Sequence, residues 1–357
     1  MMLKGLIAAG GRGTRLRPLT HAINKHLIPI GNKPLITYAI EKMAAVGIRE
    51  IAININPGET DIPQMLGDGS RWGVSLTFLE QEGGPRGVGH IVKNAEAWIG
   101  NAPFMFYLGD NVMLGSLQPL VDRFEQEGLD CLLALARVQN LSQFGVPEIK
   151  DGRIVRVVEK PTNPPSPFAV TGIYLYGSTV FDAARVIQPS ARGEYEISDI
   201  HTVMIEQGRK VGFAETTGNW MDTGRPEDLL RANALLLAEQ PALIAPDALI
   251  DGSVWIEGSV SVGSGAQITE GTVVRGPVSI GAGCVITGGV IGPNVSIGAG
   301  SRVTRAMMTD SLVMEKATCQ GVSLTASILG RGAVVSSQAT MQKPGRTLLG
   351  DQGVVEW

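Results

Sequence analysis

The chain has 357 residues, 44% of them hydrophobic, with 30 Lys and Arg against 34 Asp and Glu for a net charge of −4. That length suggests two domains, and the interspersed charges argue against a polybasic nucleic-acid arm. No apolar run reaches the ~18 residues of a membrane span. Cys131, Cys284 and Cys319 are far apart and form no CxxC pair, so they read as buried, reduced thiols and not as a zinc site or disulfide frame. The apolar start, residues 1–9, is too short for a secretion signal. A cytoplasmic protein with no nucleic-acid or membrane partner is expected.

Short apolar runs alternate with helix-like stretches up to about residue 240. Strands fit Lys4–Ala9, Glu50–Asn56, Val74–Leu79, Phe104–Leu108, Cys131–Arg137 and Arg153–Val158. Helices fit Pro34–Val46, Val88–Trp98, Leu117–Glu127, Ile197–Gln207 and Pro226–Glu239. Such alternation predicts an α/β domain over residues 1–240, with a mostly parallel sheet covered on both faces.

After Pro241 the helical signal stops and a period of six begins. Ile244, Ile250, Ile256, Val262, Ile268, Val274, Ile280 and Ile286 stand six apart. The register slips by one at Ile291 and resumes at Ile297 and Val303. A hexapeptide period predicts a parallel β-helix, three short strands to a coil, with the aliphatic residue pointing inward. Residues 241–340 would make about five coils of ~18 residues. Residues 341–357 are expected as a tail that caps the open coil edge, and such a stack favours a homo-oligomer.

Candidate chemistry lies before the repeats. Gly10-Gly11-Arg12-Gly13-Thr14-Arg15 follows the first strand. Its glycines let backbone N–H groups approach a phosphate, and Arg15 adds a permanently charged fork suited to phosphate oxygens. The spacing is neither GxGxxG nor a Walker P-loop. Asp110 follows an apolar strand through a glycine, and ligands in open α/β sheets gather at the carboxyl ends of strands. Asp222 stands in a second such turn.

The block Gly10–Pro18, then Lys25, Pro29 and Lys33-Pro34-Leu35, resembles the sugar-1-phosphate nucleotidylyltransferases. So do Gly67–Gly73, Leu108–Asn111, Glu159-Lys160-Pro161, Thr171–Tyr174 and Trp220–Gly224, in the same order. The resemblance is to the long form, which carries a C-terminal left-handed β-helix. It implies a Rossmann-like (GT-A-like) α/β domain with a mixed, mostly parallel sheet. The implied reaction is Mg²⁺-dependent nucleotidyl transfer from dTTP, or UTP, to a sugar 1-phosphate. Asp110 and Asp222 would hold Mg²⁺, in keeping with its preference for one or two carboxylates plus phosphate oxygens. Arg15 would draw charge from the β- and γ-phosphates. Lys25 would bridge the α-phosphate and the sugar phosphate, and Lys160 would hold the latter. Nucleotide contacts fall on Ala8, Gly10, Gly11, Gly13, Thr14, Gln81 and Gly87. Sugar contacts fall on Asn111, Gly145, Glu159, Val170 and Tyr174.

Other readings compete. Hexapeptide β-helices often serve acyltransferases, which rely on a histidine base. All four histidines (His21, His26, His90, His201) precede the repeats, and only 11 of residues 244–338 are charged. A silent, nucleotide-sugar-sensing relative would have lost Arg15, Lys25 or one Asp, and all are present. A glucose 1-phosphate substrate is expected ahead of another sugar or a cyclitol phosphate, and some synthesis is expected from residues 1–240 alone.

Overall fold

The computed structural model describes residues 2–216, 218–338 and 344–357. Internal contacts divide the chain into two units interleaved in sequence. One is Met1–Gly11 with Ile36–Asp222; the other is Arg12–Leu35 with Thr223–Trp357. The second unit thus joins an early loop segment to the C-terminal region.

In chain order the elements up to residue 240 are β1 (Lys4–Ala8), β2 (Pro29–Ile30), β3 (Lys33–Pro34), α1 (Leu35–Ala45), β4 (Glu50–Ile55), α2 (Asp61–Leu66), β5 (Ser75–Glu80), α3 (Val88–Ile99), β6 (Phe104–Leu108) and β7 (Asn111–Met113). There follow α4 (Gln118–Gln126), β8 (Cys131–Arg137), β9 (Gly145–Lys150), β10 (Arg153–Glu159), β11 (Phe168–Tyr176), α5 (Val180–Val186), α6 (Ile197–Glu206), β12 (Val211–Glu215), β13 (Trp220–Asp222) and α7 (Pro226–Glu239).

The first unit is built on a seven-stranded sheet ordered β12-β8-β11-β6-β1-β4-β5. All its strands run parallel except β11, which pairs antiparallel with both β6 and β8. The mixed α/β sheet expected from the sequence is therefore present. The chain builds outward from β1 to β4 and β5, then returns to the other side of β1 as β6. This reversal leaves a crevice at the carboxyl ends of β1 and β6, where ligands of open α/β sheets bind. Burial of Leu6, Ile7, Phe104, Phe106, Leu133 and Tyr176 drives the sheet to form.

Two sequence expectations are corrected. The stretch near Arg153–Val158 lies outside the main sheet, paired antiparallel with β9 in a separate ribbon. Its outward positions Arg153, Val155 and Arg156 are exposed, so it lacks the two buried faces of a central strand. The antiparallel β11 was not expected as a strand. Its nearly unbroken apolar run has no period, which leaves strand and buried helix indistinguishable.

In the second unit the chain winds a left-handed β-helix. Ile268, Val274, Ile286, Ile291, Ile297 and Val303 are fully buried in its core. Two faces each stack six strands before residue 340 and a seventh from residues 348–356. Successive coils are offset by 18 residues at Leu243↔Ser261, 17 at Ser279↔Ser296 and 16 at Ser296↔Leu312. The shorter coils erase the six-residue period. The tail adds a rung of its own: Leu348–Leu349 pairs with Ile328–Leu329, and Val354–Glu356 with Val334–Ser336. The expected boundary at 340/341 lies outside the described residues.

No helix is long and apolar enough to cross a membrane among the described residues. The three cysteines are free and buried, and burial pushes each thiol above its usual range.

Candidate active site

Within the first unit, the glycine-rich loop leaves β1 beside the end of β6. Gly109 N donates to Ala8 O (2.9 Å), and Ala9 N to Asn54 O (2.8 Å). A Cβ on Gly10 would stand 3.3 Å from both Asn56 Oδ1 and Gln81 Oε1, so a side chain there would crowd the polar floor. Asn56 Oδ1 is buried without a partner. Gln81 is itself buried: its Oε1 accepts from Asn54 Nδ2 (3.3 Å), and its Nε2 lies 2.9 Å from His90 Nδ1. Asn94 continues the network to Asn54 Oδ1 and Glu80 O. Asn54 and Asn56 were missed in the sequence; their only signal is a polar side chain within the apolar β4 and another directly after it. Burial, then the nearby Arg86 and Lys93, lowers the pKa of His90. Gly87 is a glycine for a local reason: its φ is +96°, and a Cβ would meet Tyr195 O at 2.6 Å.

Asp110 and Asp222 are brought to one small ladder. β7 and β13 pair antiparallel with Asp222 opposite Asn111. Asn111, only 2% exposed, organises this corner. Its Oδ1 accepts from Trp220 Nε1 (2.7 Å) and Gly172 N (3.2 Å), while its Nδ2 donates to Asp110 Oδ1 (3.1 Å). The β11 pairing to β8 breaks register between Val170 and Tyr174, and this irregularity presents Gly172 N to Asn111. A Cβ on Gly172 would sit 2.5 Å from Asn111 Oδ1.

No cluster of three or more His, Cys, Asp or Glu able to hold a metal occurs among the described residues. The donor set here is two carboxylates, Asp110 in the turn before β7 and Asp222 at the end of β13. That is hard, oxygen-only and incomplete, which suits a cation that fills its shell with water and substrate phosphates.

A second cluster gathers on the β9–β10 ribbon. Gly145 pairs with Glu159 in register, and a Cβ there would meet Glu159 Oε2 at 3.4 Å. Glu159 Oε1 lies 3.2 Å from Lys160 Nζ and 3.5 Å from Arg192 Nη2. Arg192 also pairs with Glu196 (2.9 Å), which accepts from Ser190 Oγ (2.7 Å). Lys160 adopts φ +45° with its N–H on Phe144 O (3.0 Å). A left-handed lysine is held there against its backbone preference. Arg192 and Glu196 were missed because they approach Glu159 only through the fold. Val170 and Tyr174 are buried beside this cluster. Burial, and then Glu159, raises the Tyr174 pKa.

Arg15 and Lys25 belong to the second unit. Gly13 has φ +60°, and a Cβ on it would meet Thr20 Cγ2 at 2.9 Å and Lys25 Cβ at 3.0 Å. Thr20 Oγ1 donates to Gly13 O (2.7 Å). The glycine thus lets the loop fold onto the Lys25 stem. The short helical turn Thr14–Leu16 buries Leu16 and leaves Thr14 and Arg15 exposed. The Arg15 guanidinium packs on Gly224, where a Cβ would stand 2.6 Å from Nη2.

The sequence profile of the nucleotidyl transferase family matches residues 4–239. The chain belongs to the nucleotidyl transferase family. This nucleotidyl transferase is 35% identical over 357 residues to a glucose-1-phosphate thymidylyltransferase of Streptomyces antibioticus, covering 99% of each chain. It is 36% identical over 351 residues to that of Streptomyces griseus, covering 98% of each. Among solved structures, a Bacillus anthracis protein assigned as a glucose-1-phosphate thymidylyltransferase, in complex with sucrose, has a TM-score of 0.62. That match is at 38% identity and covers 65% of this chain and 94% of the other.

Proposed function

We propose that the protein transfers a thymidylyl group from dTTP to glucose 1-phosphate, giving dTDP-glucose and pyrophosphate, with Mg²⁺ held by Asp110 and Asp222. The observation that carries this is the Asp222–Asn111 register beside the ends of β1 and β6. It sets two carboxylates where a glycine-rich phosphate loop begins. The thymidylyl and glucosyl assignments rest on the two Streptomyces relatives, which match along the whole chain.

A phosphate oxygen of the sugar 1-phosphate attacks the α-phosphorus of dTTP. The bond from that phosphorus to the bridging oxygen breaks, and pyrophosphate leaves. The nucleophile is already mostly anionic, since the second phosphate pKa is about 6, so no general base is required. Bound Mg²⁺ would neutralise phosphate charge and help align the two reactants. Arg15 offsets charge on the β- and γ-phosphates. Lys25 neutralises the α-phosphate and Lys160 the sugar phosphate, while Glu159 accepts hydroxyls of the sugar. Ala8, Gly10, Gly11, Gly13 and Thr14 line the triphosphate, and Gln81 and Gly87 face the base. Gly145, Val170 and Tyr174 shape the sugar end. Asn111 steers Asp110.

Pyrophosphate release with Mg²⁺ and glucose 1-phosphate, compared across dTTP, UTP, CTP, ATP and GTP, tests the proposal. Release with dTTP well above UTP is expected. Release with UTP alone would keep the mechanism and replace the base, because the two differ by one methyl worth about 1 kcal/mol. No release with any triphosphate would remove the glucose assignment.

A further inference from the structure

One face of the β-helix is covered by an unusual lid. Its outward-facing positions run Leu243, Ser261, Ser279, Ser296, Leu312 and Ile328. Leu243 is 70% exposed, whereas Ser296, Leu312 and Ile328 are each 1% exposed. Within the second unit, α7 packs on the strand Val295–Ile297, and the β2–β3 hairpin docks on the same face.

The hairpin turn is Gly31-Asn32, with φ +55° and +64°. Two left-handed residues are what a two-residue type I′ turn needs, and Asn tolerates that region better than most side chains. Asn32 Nδ2 reaches Ser279 O (3.1 Å), Ser279 Oγ (2.9 Å) and Ile297 O (3.1 Å), spanning two coils. From α7, the fully buried Asn233 accepts from Gly31 N (2.9 Å) and donates to Asn294 O (3.4 Å). One asparagine fastens the hairpin tip directly to the coils, and the other fastens it through α7.

Hydrogen bonds run from that tip to Lys25. Leu35 N donates to Ile28 O (3.1 Å) across the hairpin, and Ile28 N donates to Lys25 O (3.3 Å). Leu27 N bonds Asn24 O (2.9 Å), and the Lys25 stem packs on Gly13. A further anchor lies near the last coil, where a Cβ on Gly350 would stand 3.1 Å from Pro18 O.

We infer that the β-helix is a catalytic platform, and that Asn32 and Asn233 are positioning residues fixing the Arg12–Leu35 loop and with it Arg15 and Lys25. The inference rests on the nucleotidyl-transfer reading for the roles of those two cations. A displacement of about 1 Å at a catalytic group can cost 10²-fold in rate. A clamp on the loop therefore acts on turnover more than on substrate affinity.

Four variants of the full chain test it. N32G keeps the turn and deletes the donor; N32D keeps the size and turns a carboxylate toward three acceptor oxygens. N233L keeps the bulk and deletes the acceptor; N233D keeps the acceptor for Gly31 N. Each is assayed for pyrophosphate release against triphosphate concentration and for amide hydrogen exchange. Expected are a kcat at least tenfold lower in N32G, N32D and N233L, with KM within threefold, and N233D, which keeps the Gly31 N acceptor but loses the donor to Asn294 O, between wild type and N233L. Amides of residues 16–35 in N32G should exchange at least tenfold faster while those of β1, β6 and β8 keep wild-type protection. Unchanged exchange in the N32G loop overturns the inference, as does a loosened loop with wild-type kcat. An inactive wild-type enzyme would instead strike the nucleotidyl-transfer reading, and loop exchange would still decide for or against the clamp.

Discussion

Replacing Asn111 with leucine removes one side chain and orphans one buried and one half-buried donor. Gly172 N and Trp220 Nε1 both end on Asn111 Oδ1, at 3.2 and 2.7 Å. Each stranded donor costs about 1–3 kcal/mol, giving roughly 2–6 kcal/mol for the pair. The added apolar burial of leucine returns about 1–2 kcal/mol, so the net loss lies between roughly 0 and 5 kcal/mol, centred on about 2.5 kcal/mol. At ~2–4 °C per kcal/mol for a unit of this size, that centre lowers Tm by roughly 5–10 °C. Activity should fall as well, since Asp110 Oδ1 loses its 3.1 Å donor. N111D separates the two effects: it keeps the acceptor, so its Tm stays nearer wild type, yet it sets a second carboxylate against Asp110. Thermal unfolding followed by circular dichroism, with pyrophosphate release on the same samples, reads both. An N111L protein with wild-type Tm and turnover would refute the reasoning.

D110N should abolish Mg²⁺-supported turnover with less than about 1 kcal/mol lost in stability, since the half-buried side chain changes charge and not shape. Full activity of that variant would sink the metal assignment. G13A places a Cβ at φ +60° against the Lys25 stem; it should cost about 1–2 kcal/mol and lower kcat at least tenfold, checked by thermal unfolding and steady-state kinetics. His201 is fully buried on Tyr176, with Tyr176 Oη 2.6 Å from its Nε2, and burial lowers its pKa to about 3. Only the unfolded chain takes up that proton between pH 6.5 and 3. The stability held by the neutral ring is therefore complete above pH 6.5 and lost on acidification, about 2 kcal/mol by pH 5. Tm measured from pH 7.5 to 5 should drop more steeply for wild type than for H201Q, and parallel curves would reject the assignment. Truncation after Gln240 would expose the faces of α7 and of the hairpin that pack on the β-helix, against the sequence expectation that this fragment remains competent. Aggregation or at least a tenfold loss of specific activity should appear in gel filtration and pyrophosphate release.

The chemistry-bearing blocks were legible because the reaction demands particular side chains next to strand ends. Asp110 follows β6 by a glycine, and Gly10 and Gly11 follow β1, so short-range sequence already places them. The groups that orient them were not legible in the same way. Asn111 has partners 61 and 109 residues away, and Arg192 reaches Glu159 across the fold. Neither spacing leaves a periodic trace. Lys160 shows the same limit: its residue type was singled out, while its left-handed backbone depends on the Phe144 carbonyl that receives its N–H.

The repeat region shows a subtler limit. Inward aliphatic residues at a period of six dictated a β-helix, because each must point into the same narrow core. That pattern speaks only of the inside. Burial of the outward-facing Ser279 and Ser296 goes with the hairpin tip at Asn32 and with α7, which precede the repeats. Leu312 and Ile328 are large and aliphatic where Ser261 and Ser279 stand in earlier coils. The outward face is already buried at Ser279 and Ser296, so the later change from serine to Leu312 and Ile328 does not mark where burial begins. Asn32 and Asn233 lie opposite the coils where that burial begins, and there the β-helix joins the loop that carries Arg15 and Lys25.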